Sequence, residues 1–187
     1  MFCVYVILVF GLVHHCHLTP PSCQDLLRPV DPVLPQHVSG GWTLVAGGLN
    51  TSDFERFKVE DSILLNFTVI NGTSMSFSRA SRFSETCQYV DSVITLEGSG
   101  FHFSQVNLTV IFMHSSCPDC LVLSFERQDR KSMPLYLFSR RRNVEKSEMD
   151  DFKQQAECLK KPHVAVMNPT KELCPELNNQ TTQALKA

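Results

Sequence analysis

Tryptophan occurs once in this chain, at Trp42, and tyrosine three times, against 13 phenylalanines, so its aromatic surface has few polar handles. Neither sign of charge dominates. Its 17 Lys and Arg face 19 Asp and Glu, a formal net charge of −2, which argues against a surface built for nucleic-acid phosphates. No apolar run approaches the ~20 residues of a membrane-spanning helix, so no membrane anchor is expected. His37, His102, His114 and His163 are scattered without metal-ligand spacing and read as surface residues; no metal and no cofactor is expected. Internal repeats are lacking, and no charge run exceeds Arg140-Arg141-Arg142.

What is present starts with residues 1–22, "MFCVYVILVFGLVHHCHLTPPS", where an apolar run from Phe2 to Val13 gives way to polar and proline-rich residues. This is the outline of a secretory signal peptide, with cleavage expected between Cys16 and Ser22. Roughly 165 residues remain, enough for one domain, expected over 23–177 with a frayed polar tail over 178–187. Beyond the leader stand Cys23, Cys87, Cys117, Cys120, Cys158 and Cys174, an even number in a chain bound for an oxidising compartment. Three disulfides are expected, and the cysteine pattern leaves their connectivity open. Sequons at Asn50, Asn66, Asn71, Asn107 and Asn179 favour a glycosylated, secreted protein. A glycan must face solvent, so Asn66 and Asn107 also set the outward face of the strands that hold them.

After Cys23, Pro29, Pro32 and Pro35 favour an extended lead-in. Strand-like runs then follow over 42–46, 62–70, 74–83, 88–97, 100–104, 106–113, 121–127 and 134–140, separated by turn residues such as Asn71-Gly72 and Pro118-Asp119. Eight strands in such an order read as an antiparallel meander closing on itself. One helix breaks the pattern: "SEMDDFKQQAECLKKP" has Ser147 and Asp150 as a capping-box-like start, an apolar stripe of Met149, Phe152, Ala156 and Leu159, and a stop at Pro162. Cys158 falls almost opposite that stripe, so its partner should lie over the outer side of the helix.

An all-β, eight-stranded up-and-down barrel with one C-terminal α-helix packed outside is the plan of the lipocalin family, and specific residues carry the resemblance. Gly40-x-Trp42 at the start of the first strand resembles the family's Gly-x-Trp signature, and "LYLFSRRR" resembles its last-strand signature. The resemblance implies that Trp42 plugs the closed end of the barrel with Arg140 over its indole, a contact worth about 2 kcal/mol when desolvated. The family's middle signature, a Thr-Asp-Tyr-like turn, is not evident; "FERQDRKSMPLY" stands there. Within the family, "SCQDLLRPV", "SETCQYV", "EMDDFKQQAECLKKP" and "KELCPEL" are similar to the alpha-1-acid glycoprotein (orosomucoid) group, including saxitoxin- and tetrodotoxin-binding proteins of fish, with apolipoprotein M more distant. That group's pattern implies Cys23–Cys158 and Cys87–Cys174. Cys117 and Cys120 are extra to it. Their "CPDC" also marks thiol oxidoreductases, but a strand follows it rather than a helix, so a disulfide clipping the turn between the sixth and seventh strands is expected.

Alternation around the outward asparagines points Leu65, Phe67 and Val69, and Leu108, Val110 and Phe112, into the barrel. Leu123 and Phe125, then Tyr136 and Phe138, join them from the last two strands. Phe77, Arg79 and Ser81 share a face that the alignment through Cys87 makes the inner one. These side chains either fill the barrel or line a calyx; the resemblance favours a calyx for a small lipophilic or amphiphilic ligand. An inward Arg79 would favour acidic amphiphiles over cationic guests, since its fork matches carboxylate or phosphate, whereas a register one residue off would leave Arg79 solvated with Ser78 and Ala80 inside. The expected function is a secreted, monomeric carrier without catalysis. The alternatives are an acute-phase, immune-modulating glycoprotein, a toxin-binding carrier, or an isomerase or thiol-active enzyme.

Overall fold

The computed structural model describes residues 3–8, 11–16, 21–127, 129 and 133–175. The sequon at Asn179 and the tail over 178–187 lie outside them. Near the N-terminus, β1 (Cys3–Leu8) and β2 (Gly11–Cys16) pair as a two-stranded antiparallel ribbon separate from the main sheet.

The main sheet contains β3 (Gly40–Leu49), β4 (Ser62–Asn71), β5 (Ser74–Phe83), β6 (Thr86–Thr95), β7 (Gly100–Phe103), β8 (Leu108–Met113), β9 (Cys120–Arg127) and β10 (Leu135–Ser139). Successive strands pair antiparallel except β6 and β7, and β10 returns to β3, giving the order β6-β5-β4-β3-β10-β9-β8-β7. The two ends, β6 and β7, are joined through a turn whose Glu97 and Gly100 exchange backbone hydrogen bonds of 2.9 and 3.1 Å. The result is a nearly closed eight-stranded barrel.

The helix α4 (Lys146–Cys158) lies against the outside of the barrel. Phe152 and Ala156 are buried with Val45, Ala46, Val122, Leu135 and Leu137, while Met149 and Leu159 flank them, so the predicted apolar stripe is the packed one. Gly48 is required there: a Cβ on it would stand 2.9 Å from the Ala156 Cβ. The helix starts earlier than expected, and Glu148 rather than Asp150 closes the first turn by accepting from the Glu145 N–H at 2.7 Å.

Two elements were not anticipated. The helix α3 (Thr51–Phe57) follows β3, and β11 (His163–Val166) pairs antiparallel with β3 over Ala46–Leu49. The lead-in is also not wholly extended, since it contains single turns α1 (Cys23–Leu26) and α2 (Pro35–Val38). The three disulfides are Cys23–Cys158, Cys87–Cys174 and Cys117–Cys120. No helix among the described residues is long and apolar enough to cross a membrane.

Candidate functional site

The barrel has unlike ends. At the closed end, Trp42 is 2% exposed, its indole N–H donates to the Val38 carbonyl at 2.8 Å, and the Arg140 guanidinium lies 4.0 Å over its ring. Arg140 follows the end of β10 and covers the plug from the solvent side, so it is exposed rather than inside the barrel. A cation–π contact open to water is worth about 0.5–1 kcal/mol, less than for a desolvated one. Its Nη2 also donates to the Ser39 carbonyl at 2.7 Å. Gly40, with φ +97°, leaves the space this arginine occupies, because a Cβ there would meet Nη1 at 2.8 Å.

The inside of the barrel above this plug is a cavity of about 590 Å³, opening past α3 and the β7–β8 connection. Of the residues read as inward-facing, Leu65, Phe77, Arg79, Leu108, Val110, Leu123, Phe125, Tyr136 and Phe138 are on its wall. Three are not. Phe67 and Phe112 are buried in the aromatic cluster below the wall, with ring centroids 6.4 Å apart and Phe101 6.2 Å from Phe67. Val69 is 46% exposed: Phe67 pairs with Gly40, the first residue of β3, so Val69 runs past the edge of the barrel floor. The expectation that Asn107 belongs to a strand is likewise corrected, since it is left-handed (φ 48°) after a 3-10 turn over Ser104–Val106, and β8 starts only at Leu108.

The wall also contains residues that strand alternation alone does not single out. Asp53, Arg56 and Phe57 come from α3, Glu60 from the turn after it, Arg127 from the end of β9, and Met133 and Pro134 from the connection between β9 and β10. A signal for α3 was present: Asn50 caps it by accepting from the Asp53 N–H at 2.8 Å, an Asn-x-x-Asp start that coincides with a glycosylation sequon.

Arg79 does face the cavity, but not as an isolated cation. Its Nη2 is 3.0 Å from Glu60 Oε1, so the local field is largely compensated, which corrects the expectation of an unopposed positive wall. Burial pushes the Glu60 carboxyl above the usual glutamate range, against the pull of Arg79 and then Arg56. Burial, with the Glu60 charge, holds the Tyr136 hydroxyl up at about 12, so it stays neutral. Below them the wall is apolar, from Ile63 and Leu65 to Phe101 and Leu123.

The remaining candidates lie elsewhere. Asn66, Asn71 and Asn107 are exposed, and Asn50 is half-buried at its capping position. His37, His102 and His114 are exposed, whereas His163 is half-buried and stacks on Phe54 with centroids 4.6 Å apart, so it is not a plain surface residue. Cys117, Asp119 and Cys120 offer donor atoms close together, but both sulfurs are joined in a disulfide. That turn is held instead by Arg141, which binds Asp119 at 2.6 Å and Glu148 of α4 at 2.9 Å.

No protein-family model and no curated protein matches the sequence. Among solved structures, the chain is similar to the siderocalin Ex-FABP, described as functioning through dual ligand specificities, with a TM-score of 0.65 at 19% identity over 75% of this chain and 99% of that one. It is also similar to siderocalin Q83, described as having a dual ligand binding mode, with a TM-score of 0.63 at 17% identity over 75% of this chain and 95% of that one. At such identities the likeness is one of architecture: the chain has the lipocalin fold. Its disulfides and fold are consistent with an extracellular protein.

Proposed function

We propose that this chain is a secreted, N-glycosylated lipocalin that carries small lipophilic or amphiphilic molecules in its barrel cavity, of the alpha-1-acid glycoprotein type. The observation that carries this reading is the cavity itself: about 590 Å³, apolar in its depth and charged only near the mouth. That is the size and polarity of a small-molecule site, which usually falls between about 300 and 1,000 Å³. The apolar leader, the three disulfides and the exposed sequons support secretion. The protein has no chemistry of its own in this reading, since all six cysteines from Cys23 on are paired and Arg79 and Glu60 neutralise each other rather than activating a nucleophile.

Protein purified from the medium of secreting eukaryotic cells, extracted with organic solvent and analysed by mass spectrometry, should release a lipophile in near-stoichiometric amount. The extracted protein should then quench or enhance an added apolar fluorophore with one-site saturation. Protein that carries nothing and saturates with no such probe is not a carrier.

A further inference from the structure

A charged pair stands on the cavity wall where the head of an amphiphile would come to rest. Arg79, on β5, donates through Nη2 to Glu60 Oε1 at 3.0 Å; its side chain is 39% exposed and that of Glu60 only 10%. Arg56, on α3 at the mouth, attracts the same carboxylate. Immediately deeper the wall turns apolar at Leu65 and Phe77.

We propose that Glu60 is a built-in occupant of an anion seat formed by Arg79 and Arg56, so that an amphiphile with an anionic head docks only by taking Arg79 from the Glu60 carboxylate. This rests on the carrier reading above and adds the head-group class: a carboxylate, sulfate or phosphate that fits a guanidinium fork. A carboxylate tethered beside the fork competes at high effective concentration. It is therefore a selectivity device as well as a counter-ion.

Displacement has a protonic consequence. A Glu60 carboxylate that has lost Arg79 would be desolvated next to a second anion, and both effects disfavour its charged form. Burial already holds this carboxyl above the usual glutamate range with Arg79 in place. Glu60 therefore takes one proton from solvent for each anion bound, becoming neutral COOH as the guest's charge replaces its own. A neutral guest leaves the pair intact and binds no proton. Anion affinity then rises as the pH falls from neutrality toward the Glu60 value in the empty cavity, and levels off below it.

The other charged groups around the pair are Asp53 on α3, Lys161 beyond α4 with Asp53 among its electrostatic neighbours, and Arg127 on β9, bound to Asp129. Tyr136 on β10 stays neutral, and His163 on β11 stacks on Phe54 and is not on the wall.

Calorimetric titration of the lipid-extracted full chain with decyl sulfate and with decanol, in two buffers of different ionisation enthalpy across roughly pH 5 to 8, tests this. Wild type should take up close to one proton with decyl sulfate and none with decanol. In Glu60→Gln the uptake should vanish, and the sulfate-to-decanol affinity ratio at neutral pH should rise about tenfold because the competing charge is gone. In Arg79→Gln the ratio should collapse. Wild type that binds the sulfate without proton uptake, or a Glu60→Gln ratio equal to that of wild type, overturns the proposal. Should Glu60→Gln not fold, the wild-type proton count decides by itself. If neither decyl sulfate nor decanol binds, the carrier reading fails and this one with it; decanol binding without any Glu60 effect removes only this one.

Discussion

Trp42 and Gly40 act as one unit at the closed end, one by its bulk and the other by its lack of a side chain. Trp42 fills the floor at 2% exposure, so Trp42→Ala should cost roughly 3–5 kcal/mol, as large-to-small aromatic truncations in cores do. A melting temperature within a degree or two of wild type would refute its role as a plug. Gly40→Ala adds a Cβ 2.8 Å from Arg140 at a φ of +97°. Forcing an L-residue into such backbone costs about 1–3 kcal/mol, and denaturant titration should read a loss of that size. Neither change touches the cavity wall, so the ranking of ligands should survive both.

Among the elements, α3 is the one whose stability decides whether Arg56 and Phe57 stay on the wall. Its cap is Asn50 Oδ1, and losing an N-cap costs about 1 kcal/mol. Asn50→Ala should show that loss in protein made without glycans, and Asn50→Asp, which keeps the acceptor but removes the sequon, should not. Equal stability of the two variants would mean that the cap contributes nothing. The disulfides differ by the loops they close. Cys23–Cys158 spans 135 residues and is worth about 5 kcal/mol in the chain-entropy model; Cys117–Cys120 spans 3 and should give roughly a third of that. Double serine replacement at each pair, followed by thermal melts, should reproduce that order.

For the whole molecule, the acid limb of stability has a definite sign. Asp61 is held below the usual aspartate range first by its hydrogen bond with Lys171, Asp25 by Ser22, and Asp150 by Lys153. A carboxyl depressed in the folded state contributes stability above its unfolded value, and that contribution disappears as the pH falls through the folded one. Melting temperature should therefore drop on acidification through the aspartate range. The drop should be shallower in high salt for the ion pairs Asp61–Lys171 and Asp150–Lys153, 3.0 and 3.1 Å long, because salt screens exposed charges. A melting temperature that stays flat from neutrality to strong acid would contradict this. Glu60 works in the opposite sense, since burial favours its neutral form.

The repeat of short alternating runs and the late amphipathic helix were enough to specify an eight-stranded barrel with α4 outside, because period-2 and period-3.6 patterns need no knowledge of partners. Inward and outward faces followed wherever a strand has a neighbour on both sides, as at Leu65 and Asn66. They failed at Val69, where β4 outruns β3, since burial depends on what lies across the sheet and not on parity. For α3 the sequence offered only the Asn50-x-x-Asp53 start, because Thr51, Ser52 and Asp53 are indifferent helix formers and Phe57 is buried only because the barrel is beneath it. The sequence did not announce β11, four residues that pair with β3 over Ala46–Leu49, past the Gly40–Thr43 segment that β4 covers. The presence of an arginine facing inward was legible from alternation through Phe77 and Arg79. That a glutamate 19 residues earlier meets it at 3.0 Å was not, because the pairing of a charge across a cavity is set by where a turn lands in space, which only the folded barrel decides.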